Sequence, residues 1–459
     1  MEGMTLTRQR GIALLLVSGA ISILWGFSAG LTTSGGPTDF QAVYYGSRCL
    51  LQHHNPYSVS EMDAVYRAAA EDSPSPTQRQ RQLVTLYLNL PTTFLLIAPL
   101  EMLPLGIAQV VWMILTSGSL VLAALLMWSI GNKFSPLLTT CLIAILLANC
   151  EYVFSTGNTA GIVVGLGVIA AWCFLQERFV PFGILCMAVS LAIKPHDAGL
   201  VCIYFLLAGG VLRKRALQAF AVTAVLALSA VLWVSLVAPH WWQDWNSNMA
   251  ISTARGGLND PGPTAVAANA FSKVISLQSI FSVFRDDPHF YNPATYLVCG
   301  ALLLVWSSTT LRSRSSQAKN WLGLAAVVPL TILVTYHRVY DAKLMVLTVP
   351  ACAMLWARGG PVRWIALILN TAGIVVCGDI PLILLQLLTL RLHLSTAELS
   401  GQVLTVAIDR LTPDILLIVG IFYVWAYARL NAPDNDLGSE RRDARLSQPN
   451  AAQTPVGGQ

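Results

Sequence analysis

Apolar residues occur along the chain in long blocks that short polar segments separate. The first block, residues 11–31, is long enough to cross a hydrocarbon core of about 30 Å as a helix. Further blocks follow at 105–130, 137–148, 159–175, 182–212, 216–238, 294–311, 321–336, 343–356, 364–376 and 415–428. This pattern predicts an all-α membrane protein, a bundle of about twelve transmembrane helices.

Composition supports the same class. Hydrophobic residues make up 55% of the 459 residues and charged residues only 11%, whereas soluble domains carry about 25% charged residues. The nine cysteines mostly lie inside apolar blocks, and no CxxC or CxxxH spacing occurs. We therefore predict no disulfide framework, no metal site and no cofactor.

The distribution of charge predicts the orientation. Basic clusters occur at 213–215, 312–319, 358–363 and 429–445, and by the positive-inside rule they and both termini face the cytoplasm. Two long loops, residues 32–85 and 239–292, then face outward. The clusters are short and lack interleaved aromatic residues, so we predict no nucleic-acid partner. Block 11–31 is interpreted as a signal anchor rather than a cleaved signal peptide, because many spans follow it.

The block 182–212 is interrupted by Lys194, Pro195, His196 and Asp197. One long tilted helix would place Lys194 at mid-depth. Two short helices would bring Lys194 to the outer face and would make the proline-rich run 91–104 re-entrant. The single helix is favoured, because neither half reaches about 17 residues.

Charges within membrane segments are costly, so they are usually functional or paired. Lys194 could hold an anionic headgroup at the helix break, or it could form a local ion pair with Asp197 that lowers the cost of insertion. The ion pair is slightly favoured.

A second polar cluster, TYHRVYDAKL, follows the block 321–336 on the predicted outer side. The guanidinium of Arg338 has the planar set of donors that suits a phosphate, and His337 could donate to phosphate or act as a base. Anchoring at the membrane interface is the alternative. The density of polar groups favours a functional role.

The first outward loop contains TDFQAVYYGSRCLLQHHNPY, an amphipathic helical run that starts beside Asp39 and closes on an Asn-Pro turn. Asp39 could cap the helix that begins at Phe40, or it could be a catalytic carboxylate. The sequence NCEYVFSTGNTAG carries Glu151 and Asn158, which we interpret as helix termination and packing on the inner side, away from Asp39.

Several of these motifs together resemble glycosyltransferase family 87. They are Asp39, the pair Tyr44-Tyr45, the closure Asn55-Pro56-Tyr57, the Lys-Pro at 194 and the cluster that ends in Tyr340-Asp341. The resemblance follows the order of motifs through most of residues 1–360 and is weakest in the C-terminal third. It implies a membrane enzyme of the GT-C class that takes sugar from a polyprenyl-phosphate donor, with its catalytic carboxylate in the first outward loop.

The resulting prediction is a GT-C-type domain over residues 1–430 and a disordered cytoplasmic tail over 431–459. It would transfer mannose or a related sugar to a hydroxyl of a cell-envelope glycan or glycolipid, at the outer face of the plasma membrane. The predicted site residues are Asp39 and His337 for catalysis, Arg338 and Lys194 for the donor phosphate, and Tyr44, Asn55, Tyr57, Tyr340 and Asp341 for substrate binding. A transporter or lipid flippase with Lys194 in a mid-membrane site is the main alternative, and a membrane scaffold is a third.

Overall fold

A computed structural model describes residues 2–32, 36–69, 78–263, 274–313, 316–378, 387–388, 391–392 and 398–429. The all-α prediction is confirmed: the described residues form helices, and their one β-type pairing is an isolated bridge between Val274 and Arg338. The predicted tail, 431–459, lies outside the described residues.

The helices are numbered here in chain order. Those of the first half are α1 (Glu2–Thr32), α2 (Thr38–Leu51), α3 (Val59–Ala69), α4 (Gln78–Thr85), α5 (Pro91–Glu101), α6 (Leu105–Gly131), α7 (Pro136–Ala148), α8 (Glu151–Thr156), α9 (Ala160–Gln176), α10 (Val180–Ile193), α11 (Pro195–Ala208) and α12 (Gly210–Val237). Those of the second half are α13 (Trp241–Thr253), α14 (Gln278–Phe284), α15 (Pro288–Arg312), α16 (Gln317–Val334), a 3-10 helix (Asp341–Thr348), α17 (Val349–Arg358), α18 (Val362–Val376) and α19 (Leu399–Arg429).

The prediction of a multi-pass membrane protein is supported by helix length and hydropathy. Among the described residues, seven helical segments are long enough and apolar enough to cross a bilayer: Arg8–Ala29, Leu105–Gly131, Pro136–Thr156, Gly210–Val237, Pro288–Arg312, Gln317–Val334 and Leu399–Arg429. Four shorter apolar helices, α9, α10, α11 and α18, lie among them. The total of about twelve crossings stays a prediction.

Close contacts at two glycines show how α1 is oriented relative to its neighbouring helices. A Cβ on Gly11, near the start of α1, would lie 3.0 Å from Thr140 of α7 and 3.1 Å from Trp128 of α6. Near the other end of α1, Gly26 packs against Phe154 of α8. Helix α1 therefore runs parallel to α7–α8 and antiparallel to α6, and glycine permits this close approach of helices within a membrane.

The single long helix predicted over 182–212 is wrong, because the chain forms a helical hairpin there. No room exists for a Cβ on Gly183, near the start of α10, because Cys173 of α9 packs against it. Near the end of α11, the ring centroid of Phe205 lies 5.2 Å from that of Phe174. In one straight helix Gly183 and Phe205 would be about 33 Å apart, yet both meet the same end of α9.

The hairpin reverses at Lys194, whose backbone is extended (φ −139°, ψ 85°). The helical region is disfavoured for a residue that precedes proline, and Pro195 then starts α11, where a missing N–H costs nothing. Eight of the 14 residues of α10 and six of the 14 residues of α11 are buried, so contacts with other helices hold the two short helices and neither has to match the bilayer alone. Helix α5 has 11 residues, about 16 Å, which is too short to cross and fits the re-entrant alternative.

The described part of the loop 32–85, which is predicted to face outward, forms helices α2, α3 and α4, here called the outer helical layer together with α5 and α13. A second apolar cluster, distinct from the main core of the bundle, joins α2, α3, α5 and α13. Tyr57 lies at its centre, with its ring centroid 5.5 Å from Tyr87, 5.8 Å from Phe94 and 5.7 Å from Trp241. This layer holds the start of α2 against the ends of the membrane helices.

We expect the hairpin to place the α9–α10 turn in the cytoplasm. A cysteine at the exposed Arg178 should react with an impermeant maleimide only after the membrane is permeabilised. The single-helix topology would instead place Arg178 outside. The background should carry Cys141→Ser, because Cys141 is the exposed one of the nine native cysteines, and Asn246→Cys on α13 serves as the outward control. Labelling of Arg178→Cys in intact cells would contradict the hairpin topology.

Candidate active site

Asp39 lies in the first turn of α2 and is half-buried. The capping interpretation is wrong, because Pro37 occupies the N-cap and no side chain caps the helix there. Instead, Asp39 Oδ2 accepts a hydrogen bond of 2.7 Å from Asn158 Nδ2. Its Oδ1 accepts no hydrogen bond from the residues that the structure describes, so one oxygen of this carboxylate remains available.

Asn158 belongs to this site, and the interpretation that placed it on the inner side away from Asp39 is wrong. It follows Gly157, a left-handed residue (φ +64°) that ends α8. Asn158 Oδ1 accepts hydrogen bonds from the backbone N–H of Ala160, at 2.8 Å, and from Lys194 Nζ, at 3.1 Å. One buried amide side chain therefore connects Asp39 to Lys194.

Lys194 pairs with Asp341 rather than with Asp197, so the predicted local ion pair is wrong. Lys194 Nζ donates to Asp341 Oδ1 at 2.9 Å, and both side chains are buried. The other oxygen of Asp341 accepts from the backbone N–H of Arg338 at 2.8 Å. Because an isolated charge in a dry interior is very unfavourable, each member of this pair requires the other. The pair joins the α10–α11 turn to the segment after α16.

Arg338 is held by backbone contacts on both sides. Its backbone pairs with Val274, and the backbone N–H of Ile275 donates to the carbonyl of His337 at 2.9 Å. The guanidinium Nη2 donates to the carbonyl of Leu258 at 2.9 Å. Its Nε is buried and has no hydrogen-bond partner among the described residues, so one donor of this guanidinium is unused within that part of the protein.

These groups line one cavity of about 190 Å³. Four of the predicted site residues face it: Asp39, Lys194, Arg338 and Tyr340. The remaining lining residues are Ala42, Val43, Leu83, Leu86, Tyr87, Leu88, Asn89, Asn158, Thr159, His196, Met249, Leu258, Asn259 and Tyr336. Asp39 is the one carboxylate among the described lining residues, and it shares the cavity with two fixed cations.

The other predicted substrate-binding residues do not line this cavity. Tyr44 donates to the carbonyl of Leu103 at 2.8 Å, and Tyr57 donates to the carbonyl of Asn89 at 2.9 Å. Asn55 Nδ2 donates to Asp244 Oδ2 at 2.6 Å. These contacts hold the outer helical layer together, and Asp341 acts on the cavity through Lys194. Their predicted role in substrate binding stays a prediction.

His337 lies behind the cavity wall and is fully buried. Its Nε2 lies 3.0 Å from Asp197 Oδ1, and its ring centroid lies 5.0 Å from that of His196, which lines the cavity. The ligand atoms of His196, Asp197 and His337 all lie within 4.8 Å of one another, as a metal-binding set would. In the sequence these residues lie in two separate polar clusters, at 194–197 and 335–344.

A larger open groove of about 830 Å³ adjoins the cavity. Residues of the segment 81–89 line both spaces, so this segment separates them. Hydrogen bonds from Arg67, together with those from Arg81, hold the pKa of Asp63 in the groove wall below its ordinary value. The groove wall therefore carries both signs of charge. The remaining described lining residues are Tyr57, Ser58, Val59, Ser60, Gln82, Thr85, Asp244, Ser247, Asn248 and Ile251.

Comparison with known proteins assigns a family. The model of glycosyltransferase family 87 matches residues 87–335, which is more than half of the 459 residues. The matched stretch contains Asn158 and Lys194, whereas Asp39 precedes it and Arg338 follows it. No curated protein and no solved structure matched the chain.

Breaking the buried ion pair should destabilise the fold. Lys194→Met leaves Asp341 without its cation, and removal of one partner of a buried pair costs about 3–5 kcal/mol. We expect a lower midpoint of thermal unfolding in detergent. The matched control is the double variant Lys194→Met/Asp341→Asn, in which the carboxylate that paired with Lys194 is also neutralised and part of the stability should return. An unchanged midpoint in Lys194→Met would contradict this role of the pair.

Proposed function

Because the chain belongs to glycosyltransferase family 87, we propose that it transfers mannose or a related sugar from a polyprenyl-phosphate donor. The acceptor is a hydroxyl of a cell-envelope glycan or glycolipid at the outer face of the plasma membrane. The observation that best supports this proposal is the cavity in which a carboxylate, Asp39, faces two cations, Lys194 and Arg338.

The proposed reaction is a single displacement with inversion at the anomeric carbon. The acceptor hydroxyl oxygen forms the new bond, and its proton passes to the available oxygen of Asp39. The bond from the anomeric carbon to the phosphate oxygen breaks, and polyprenyl phosphate leaves with the electron pair. A double displacement would need a second carboxylate near the first, and Asp39 is the one carboxylate among the described lining residues.

Lys194 and Arg338 are proposed to stabilise the departing phosphate. Two of the three ammonium N–H groups of Lys194 are used by Asn158 and Asp341, which leaves one for a ligand. Arg338 retains its Nε–H. Charge-assisted hydrogen bonds of this kind are about twice as strong as neutral ones. Because both cations are held by other parts of the fold, they need no reorganisation when charge develops on the phosphate.

The apolar part of the cavity fits a lipid-linked donor. Leu83, Leu86, Leu88 and Met249 line it beside the polar groups, and the sequence has no glycine-rich motif for a nucleotide. Donor phosphate and sugar would then occupy the polar end, with isoprenoid carbon against these side chains. No feature of the described residues specifically favours the transporter alternative.

The open groove is proposed to hold the acceptor. It lies across the segment 81–89 from the cavity, and its walls present serine hydroxyls, carboxylates and the guanidinium of Arg81. Such groups suit the hydroxyl-rich surface of a glycan. The acceptor would therefore reach Asp39 from the outer helical layer, and the donor would come from the membrane.

Asp39→Asn is the direct test of the catalytic base. The asparagine retains an oxygen that can accept from Asn158 but cannot take a proton from the acceptor. General-base catalysis contributes about 10²–10⁴-fold, so transfer from radiolabelled polyprenyl-phosphate mannose in membranes should fall at least about 10²-fold.

The same change at a half-buried helix cap, Asp287→Asn, is the matched control and should transfer at the wild-type rate. Both variants are compared at equal membrane content. Wild-type turnover in Asp39→Asn would reject the base assignment, and the absence of transfer from any polyprenyl-phosphate sugar in the wild-type protein would reject the proposed donor.

Ser247→Trp tests the acceptor groove. Ser247 is exposed and lines the groove, so an indole there should obstruct the acceptor. We expect the KM for acceptor to rise roughly tenfold, equivalent to about 1.4 kcal/mol, with the KM for donor unchanged. Asn246→Trp, at the exposed neighbouring position outside the groove, is the control. An unchanged KM for acceptor in Ser247→Trp would contradict this placement.

A further inference from the structure

The hydrogen bonding of His337 defines which ring nitrogen carries a proton. Its Nδ1 lies 3.1 Å from the backbone carbonyl oxygen of Thr335. A carbonyl oxygen can only accept, so Nδ1 must be the donor. In the neutral ring, Nε2 then carries a lone pair and no hydrogen. That lone pair faces Asp197 Oδ1 at 3.0 Å, which brings two acceptors together in a buried site.

Neither His337 Nε2 nor the carboxylate of Asp197 has a hydrogen-bond partner among the described residues. His337 Nε2 and both carboxylate oxygens of Asp197 are buried. The 3.0 Å contact does not meet the geometry of a hydrogen bond. Buried polar atoms without partners are rare and costly, so an additional group is needed between them.

We propose that His196, Asp197 and His337 bind a divalent transition-metal ion, for which Zn²⁺ is the best match. Two imidazoles and one carboxylate are a common ligand set for zinc, with one position left open. Two neighbouring ligands on one ion lie at an angle to each other, which accounts for a short N–O contact that is not a hydrogen bond. The carbonyl of Thr335 fixes the tautomer of His337, as outer groups do for metal-bound histidines.

The separations are close to those of a formed site. His337 Nε2 lies 3.0 Å and His196 Nε2 lies 3.8 Å from Asp197 Oδ1, and all three ligand atoms lie within 4.8 Å of one another. Zinc–ligand bonds are about 2.0–2.2 Å long, so two ligands on one ion lie at most about 4.4 Å apart. A movement of a fraction of an ångström is enough to bring the set together.

The site can be reached from the cavity. Asp197 and His337 are buried, whereas the side chain of His196 is 35% exposed and lines the cavity. Water or a phosphate oxygen in the cavity could therefore complete the coordination. In the proposed transfer, the ion would add positive charge beside Lys194 and Arg338, where the phosphate would bind. This link rests on the proposed function, whereas the metal site itself does not.

The local charge favours a cation. Three carboxylates, Asp39, Asp197 and Asp341, lie in or directly behind the cavity wall, against two permanently charged groups, Lys194 and Arg338. Asp341 forms its ion pair with Lys194, and the ion-pair contacts of Asp197 among the described residues are with His196 and His337. A divalent ion bound by Asp197 removes this imbalance and leaves positive charge for an anionic substrate.

Metal content tests the proposal without any transfer assay. Protein purified in detergent with a tag that contains no histidine should carry about one zinc per chain by mass spectrometry of the metal. Chelator-stripped protein should bind added Zn²⁺ in competition with a chromogenic chelator. His196→Ala should weaken that binding at least about tenfold, and it alters a partly exposed side chain, so folding should survive. His289→Ala, at an exposed position on α15, should bind as the wild type does.

Co²⁺ substitution gives a second readout. Cobalt in the stripped protein should show visible absorption bands of a site with nitrogen and oxygen ligands, and His337→Ala should shift or remove them. Stripped wild-type protein that binds neither Zn²⁺ nor Co²⁺, or His196→Ala with wild-type affinity, would overturn the proposal. Nitrogen NMR that finds His337 doubly protonated in metal-free native protein would overturn it as well. None of these outcomes bears on whether the chain transfers sugar.

Discussion

The ion pair between Lys194 and Asp341 is the interaction on which the arrangement of the site depends. It is buried, spans 2.9 Å, and joins residues 147 positions apart. A lysine in an apolar hairpin and an aspartate at the start of a 3-10 helix are each very unfavourable alone. Their mutual requirement holds the α10–α11 turn beside the segment after α16. The oxygen of Asp341 that Lys194 does not use holds the backbone of Arg338.

The surrounding polar groups extend from this pair in two directions. Toward the outer layer, Asn158 accepts from Lys194 and donates to Asp39, so the orientation of the half-buried carboxylate is set by the buried lysine. Toward the core, Asp197 and His337 form a second contact between the same two segments. Catalysis by electrostatic stabilisation requires charges that are fixed before the reaction. A network with shared partners fixes them, whereas long side chains at a membrane interface would not.

The outer helical layer positions Asp39, which does not belong to a membrane helix. Aromatic packing around Tyr57 and hydrogen bonds from Tyr44 and Asn55 hold α2 in place, so that Asp39 lines the cavity. Tyr44, Asn55 and Tyr57 were predicted as substrate contacts because their motifs resemble those of the family. In the structure their side chains hydrogen-bond to Leu103, Asp244 and Asn89 within this layer, and their role in substrate binding stays a prediction.

The sequence alone determined the all-α membrane class, the family, and the residues Asp39, Lys194, Arg338 and Tyr340 that share one cavity. These follow from local properties: apolar blocks, the high cost of a charge in lipid, and short motifs. Only the tertiary structure decided which charges pair. Their proximity in the sequence suggested that Lys194 pairs with Asp197. The prediction of one helix over 182–212 placed Asn158 on the opposite side of the membrane from Asp39. The chain instead reverses at Lys194 and Pro195, which places Asn158 beside Asp39. Two short helices are possible there because packing against other helices removes the requirement that each helix alone match the bilayer.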